Sequence, residues 1–298
     1  MYSKIKLLLS FILISSSMAK INLVTSTTDI AWLAARVGGE NVEVKSLLSG
    51  PENPHFVEAL PSFIHKVASA DIFCVVGLEL EAAWADKVQK RSGNKNIQSG
   101  RKGFCDASKE VQVLDKLEVK VDRSMGDVHS SGNPHYHLAP TYLAMAGESI
   151  LNTLKSYDPT NRTKYEENFS TLQKELKALR VNELTKLKTK KNLKFMEYHK
   201  EFTYFLKDYN LQNVGSVEDI SGVPPSAARI LNIINIIKKE RVDIILSTDS
   251  APSKVLEKIR EATNVRIIKS PLSLTNYLDK EAYSNMQNNL INQILDVQ

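Results

Sequence analysis

Past its first residues, the 298-residue chain has no apolar run long enough to cross a bilayer. It also has no polybasic tract of the kind that marks a nucleic-acid or membrane-surface partner. The one lysine-rich stretch, KLKTKK from Lys186 to Lys191, is brief and reads as a solvated helix end whose cations favour the carbonyl terminus. No His-Glu-x-x-His helix and no Gly-x-Ser-x-Gly elbow occurs, which removes the usual signatures of zinc-dependent and serine hydrolysis. Cysteine is scarce as well: Cys74 and Cys105 are the only two, and both lie in short apolar runs, DIFCVV and KGFCD. A disulfide between neighbouring strands and a pair of buried thiols are both compatible with that placement.

What is present begins with an export signal. MYSKIKLLLSFILISSSMA carries Lys4 and Lys6, an apolar run from Leu7 to Ile14, and small residues at Ser17 and Ala19. This is the plan of a cleavable signal peptide spanning residues 1–19, with the mature chain starting at Lys20. No cysteine stands at the cleavage point, so a lipid anchor is not expected there. Removing the leader's two lysines lowers the basic count from 39 to 37 against 34 acidic residues, a near balance that again speaks against nucleic acid. The expectation is a soluble protein of the bacterial periplasm.

The mature length suits two ordinary domains, and the pattern repeats. In the first half, INLVT from Ile21, VEVKSLL from Val42, DIFCVV from Asp71 and KGFCD from Lys102 alternate with helical stretches. In the second half, LKFME from Leu193, NVGSV from Asn213, DIILS from Asp243 and VRIIK from Val265 do the same. Strands alternating with helices predict parallel sheets covered on both faces. Between the halves lies the longest helical signal, with Tyr165, Phe169, Leu172, Leu176, Leu179, Leu184 and Leu187 mostly at three- and four-residue steps and no internal glycine or proline. The predicted fold is α/β with two lobes, each a four-stranded parallel sheet flanked by helices. Its parts are an N-terminal lobe over 20–157, one long rigid connecting helix over 158–190 and a C-terminal lobe over 191–298. Ligands of open parallel sheets gather at the carboxyl ends of strands, so facing lobes make a cleft.

One tetrapeptide pattern occurs twice in a chain with six histidines: Asn53-Pro54-His55-Phe56 and Asn133-Pro134-His135-Tyr136. Proline stiffens its own backbone and pushes the preceding residue into an extended conformation, so a histidine directly after it loses little entropy when its ring is fixed on a ligand. His199 lies just past the strand LKFME, and Asp249 holds the equivalent place after DIILS. Four candidate metal ligands therefore arise from four strand-end loops, two per lobe. Three imidazoles and a carboxylate suit tetrahedral zinc and leave a complex of about +1 charge.

With these residues in view, the chain resembles the metal-binding substrate-binding proteins of ABC importers, the group that includes periplasmic zinc and manganese receptors. The resemblance runs through GPENPHFVEALPSFIHKVASADIFCVVGLELEAAW, GNPHYHLAP, EYHKEFTYFLKDYNL, STDSAPSKVLEKI and the Pro-Ser turn in SGVPPSAARI. It implies His55, His135, His199 and Asp249 as ligands in the interlobe cleft, no enzymatic activity, and delivery of the ion to an ABC permease in the inner membrane. A periplasmic metallochaperone is a further candidate partner, and a monomer is expected. Two positions depart from the family pattern: Ala139 stands where aspartate is frequent, and His137 where tryptophan often is. Alternation along an extended segment would turn His137 away from His135 and leave it lining the cleft.

A histidine at position 199, where manganese receptors tend to have a carboxylate, directs the reading to Zn2+, with Mn2+ or iron as the alternative cargo. The long His-rich loop of many zinc receptors is reduced here to GDVHSSG, with His129 alone. A secreted zinc hydrolase is the rival from another class, but four protein ligands would leave no open position for water. Of the remaining residues, His65 reads as a surface side chain, Trp84 as packing, and Glu197 as a salt-bridged or solvated strand end with an imidazole-orienting role as the alternative. Neutral imidazole is the binding form, so affinity is expected to fall as pH drops through about 6.5.

Overall fold

In a computed structural model, residues 19–117, 129–218 and 222–297 are described. The leader, apart from Ala19, lies outside them. Each half of the chain builds one fully parallel four-stranded sheet. The first contains β1 (Ile21–Thr25), β2 (Val42–Ser46), β3 (Ile72–Val75) and β4 (Phe104–Asp106) in the order β2-β1-β3-β4. The second contains β5 (Lys194–Glu197), β6 (Gln212–Ser216), β7 (Ile244–Thr248) and β8 (Arg266–Ser270) in the order β6-β5-β7-β8. The two orders are the same, so the repeat expected from the strand pattern is a repeat of topology. β3 and β7 are buried along their whole length, as sheets covered on both faces require. Cys74 and Cys105 are register partners on β3 and β4 and form a disulfide, which resolves the alternative left open by the sequence.

Helices α1 (Thr28–Gly38), α2 (Pro61–Ala68), α3 (Ala85–Arg91) and α4 (Pro140–Tyr157) cover the first sheet. Helices α6 (Thr203–Asp208), α7 (Ala227–Glu240) and α8 (Ser253–Thr263) flank the second. Ser226 caps α7 by accepting the Arg229 N–H, the turn anticipated from VPPSAARI. The long helix α5 (Arg162–Leu187) follows a short turn at Pro159–Asn161. Its apolar stripe changes allegiance along its length. Tyr165, Phe169, Leu172 and Leu176 enter the first lobe's core, whereas Leu187 enters the second's. A helix held in both cores is a strut.

It is not the sole crossing. After β8 the chain returns to the first lobe: the Leu274 N–H donates to Asp29 Oδ1 at 3.2 Å, and Trp32 Nε1 donates to the Asp279 carbonyl at 3.1 Å. The last helix, α9 (Ala282–Leu295), then places Tyr283 in the first core and Leu290, Ile291 and Ile294 in the second. The single predicted connection is thus accompanied by a second. The sequence hid it because the segment from Pro271 to Asp279 has no periodic signal.

Gly50 marks where this returning segment presses on the first lobe. Its φ is 115°, and a Cβ there would sit 2.3 Å from the Leu274 carbonyl oxygen. Backbone cannot move aside as a side chain can, so Gly50→Ala should destabilise the chain by about 1–3 kcal/mol in urea unfolding. A midpoint unchanged from the wild type would show that the two segments are not in contact.

Candidate metal centre

Each loop that carries a candidate ligand is built locally. The repeated Asn-Pro-His has one mechanism at both sites. Asn53 Oδ1 accepts the His55 N–H at 3.0 Å, and Asn133 Oδ1 accepts the His135 N–H at 2.9 Å. The asparagine side chain mimics a turn, proline sets φ, and each histidine falls in a one-turn 3₁₀ helix, Pro54–Phe56 or His135–Leu138. Below the first loop, buried Trp84 donates Nε1–H to the Pro54 carbonyl at 2.9 Å. Behind the second, Tyr136 donates to the Val76 carbonyl at 2.7 Å. The third loop follows β5, where Glu197 accepts the Phe202 N–H at 2.7 Å, the Thr203 hydroxyl and the Asn213 amide, fixing the turn that presents His199. Glu197 is therefore neither a salt bridge nor a solvated strand end, and it acts on the loop rather than on an imidazole.

These three loops bring His55, His135 and His199 together. One ring nitrogen from each lies within 4.8 Å of the other two. His55 Nε2 and His135 Nε2 are 3.4 Å apart. The ring centroids are 5.3, 6.1 and 5.8 Å apart for the pairs 55–135, 55–199 and 135–199. Two imidazoles bound to one tetrahedral ion at about 2.1 Å per bond would have centroids roughly 5 Å apart, so the trio is near the spacing that a shared ion demands. A cleft of about 170 Å³ opens beside it, walled by His55 and His199 together with Tyr198, Glu201, Glu218 and Thr248.

Asp249 is not in this group. The turn after β7, closed by the Ala251 N–H on the Thr248 carbonyl, leaves Asp249 exposed and outside the cleft wall. Two carboxylates the sequence did not single out stand closer. Glu218 Oε2 meets His199 Nδ1 at 2.9 Å and accepts the Gly222 N–H at 2.8 Å. This carboxylate–imidazole bond orients the His199 ring and fixes its tautomer. Glu201 is buried, takes a hydrogen bond from the Thr248 hydroxyl at 3.1 Å, and is pushed up to about 7 by burial. The signal that would have found both is position alone: each follows a predicted strand at its carboxyl end.

The other histidines separate. His65 is exposed on α2, as read from the sequence. His137 is buried and pairs Nε2 with the Leu272 carbonyl at 2.9 Å, tying the second loop to the returning segment. It stands outside the ligand group, though not by strand alternation, since His135–Leu138 is 3₁₀ and not extended, and it is not part of the cleft wall. His129 stacks on His55 with centroids 5.0 Å apart. Its loop is pinned by Glu79, which accepts from the Ser130 N–H and from the Ser130 and Ser131 hydroxyls.

Burial, reinforced by neighbouring imidazoles, holds His55 and His135 well below the ordinary histidine value of 6.5 and His129 down to about 4. His55 and His135 are therefore neutral across the physiological range. The drop in affinity expected near 6.5 does not originate with these two rings, because burial moves their titration lower.

Comparison with known proteins places the chain among metal-uptake receptors. The family model described as the zinc-uptake complex component A, periplasmic, matches residues 23–297. The high-affinity zinc uptake system protein ZnuA of Yersinia pestis is 23% identical over 93% of this chain and 91% of its own length. The manganese ABC transporter substrate-binding lipoprotein scaA of Streptococcus gordonii is 24% identical over 85% of this chain and 79% of its own. Among solved structures, a ZnuA crystal structure superposes with a TM-score of 0.78 at 21% identity, covering 94% of this chain and 99% of the other.

Ring protonation can be read directly. In metal-free protein, the ring resonances of His55 and His135 should stay constant between pH 8 and pH 6 in NMR titration. Movement with a midpoint near 6.5 would mean that water reaches the rings and that the cleft is not closed as described.

Proposed function

The chain belongs to the family of periplasmic zinc-uptake components, and from that premise we propose that it captures a divalent metal ion between its lobes and passes it to an ABC-type permease. Zinc is the foremost cargo and manganese the alternative, as its relatives include both zinc and manganese proteins. The observation that carries the reading is the convergence of His55, His135 and His199 from three separate loops, with the His55 and His135 rings buried and held neutral. Neutral imidazole nitrogens favour a borderline ion such as zinc over a hard one such as manganese. Binding is ligation with no bond made or broken in a substrate, which suits a carrier and not a hydrolase.

The family is one of extracytoplasmic transport receptors, and the leader read at residues 1–19 supports export to the periplasm without a lipid anchor. Among the described residues no helix is long and apolar enough to cross a membrane. We take the receptor to act as a monomer, loaded either from solution or by a periplasmic metallochaperone.

Two substitutions in one turn test the assignment. His135→Ala should lower zinc affinity by more than about 100-fold, beyond the 10–100-fold typical when only a partner of a ligand is lost. His137→Ala, which removes the bond to Leu272, should change affinity by only a few-fold. Calorimetry giving the opposite ranking would overturn the ligand set. Competition between Zn2+ and Mn2+ in the same titration decides the cargo, and preferential retention of manganese would reverse the choice made here.

A further inference from the structure

Resting on the metal-receptor reading, we propose that Glu201 supplies the carboxylate of the site, in the role that the sequence pattern gave to Asp249. Four acidic side chains are buried in the strand-end loops, and three are well satisfied. Glu81 accepts from the Ser26 hydroxyl and the Val76 and Gly77 N–H groups. Glu197 accepts from the Phe202 N–H, the Thr203 hydroxyl and the Asn213 amide, and Glu218 from His199 and the Gly222 N–H. Glu201 differs. It is 4% exposed, yet among the described residues its one hydrogen-bond donor is the Thr248 hydroxyl. An ionised carboxylate has about four acceptor positions. Burying one with a single neutral donor is unfavourable unless a cation stands nearby.

Glu201, like Asp249, is not one of the three side chains within 4.8 Å of one another, but the wall in which it lies is that of the cleft beside them. Glu201 lines it with His55 and His199, and the Glu201 N–H bonds back to the His199 carbonyl at 2.7 Å, a tight turn that sends residues 199 and 201 into one cavity. Thr248, the last residue of β7, is the donor that holds Glu201. The end of β7 thus contributes a hydroxyl that positions the carboxylate of another loop, while its own Asp249 faces solvent. A carboxylate at this place lowers the charge of a zinc complex with three neutral imidazoles to about +1. It also adds an oxygen donor, which widens tolerance toward harder ions such as Mn2+.

The experiment compares wild type with Glu201→Gln, Asp249→Asn and His129→Ala by competitive titration with Zn2+ and with Mn2+, each variant checked for native circular dichroism. Glu201→Gln keeps the shape and the bond to Thr248. It should weaken zinc by more than about 100-fold, beyond the 10–100-fold of a lost outer partner, and manganese by a larger factor, with Asp249→Asn and His129→Ala within about threefold of wild type. Silence of Glu201→Gln toward both ions, or a tenfold loss in Asp249→Asn or His129→Ala instead, overturns the proposal. X-ray absorption on the zinc-loaded wild type serves as a check that needs no variant: three imidazoles with a carboxylate oxygen are expected, and four imidazoles refute it. Zinc binding that survives in wild type and is abolished by His135→Ala keeps the receptor reading even when Glu201 proves silent. A wild type that binds neither ion removes both.

Discussion

The relative placement of the two lobes is the constraint on which the rest of the molecule depends, and Asn133 carries a central share of it. Its Oδ1 holds the His135 N–H, its Nδ2 donates to the Lys200 carbonyl at 2.7 Å, and its own carbonyl accepts from Tyr204 at 2.8 Å. One side chain in the first lobe therefore sets His135 in its own lobe and grips the residue next to His199 in the other. Each such bond contributes only about 1 kcal/mol net, but leaving the buried partners unpaired costs more. The precision it confers matters beyond its energy. Metal–nitrogen bonds tolerate deviations of only about 0.2 Å, so histidines drawn from two lobes could share an ion only with the lobes in register.

The electrostatics of the cleft follow from burial. Desolvation disfavours charge of either sign, which is why His55 and His135 are neutral and why Glu81, Glu197 and Glu201 are each pushed up to about 7. The neutral His55 and His135 rings, with centroids 5.3 Å apart, repel little and can stay side by side before an ion arrives. Preorganisation of this kind removes ordering cost from the binding step. Glu218 contributes by polarising His199 through Nδ1, and a more basic Nε2 makes a stronger bond to a cation.

Much of this was legible before any coordinates. All eight strands stand where the β-rich runs put them, because parallel strands are short and separated by helices, and β3 and β7 are buried along their whole length. That His55, His135 and His199 would come together was legible because proline and strand ends leave local marks. What escaped has a common character. Glu218 and Glu201 make their contacts with loops distant along the chain, and their positions at strand ends, the one mark they leave, are shared by too many loop carboxylates to single them out. The orientation of Asp249 depends on a turn at residues 248–251, where TDSA admits more than one rotation of the aspartate side chain. His137 was placed by strand alternation, and a 3₁₀ turn does not alternate. The fold is a property of periodicity, which one dimension displays, while the outer contacts of the site are a property of packing, which it does not.

Connectivity limits how such a site can release its ion. Helix α5 lies in both cores and α9 does the same, so a wide hinge opening would have to draw side chains such as Tyr165, Phe169, Leu187 or Tyr283 out of packed surroundings. Each large apolar side chain exposed in that way costs about 1.5–3 kcal/mol, and several would move together. Displacement of one ligand loop is far less costly. Beyond Tyr198, whose backbone still bonds Leu246 and Glu218, the His199 turn is held by side-chain bonds from Asn133 and to Glu197 and Glu218, and a shift of about 1 Å there would be enough to break a tetrahedral geometry. The same architecture that makes the cleft rigid enough to select an ion thus confines its adaptable part to the loop that carries His199, Glu201 and their carboxylate neighbour.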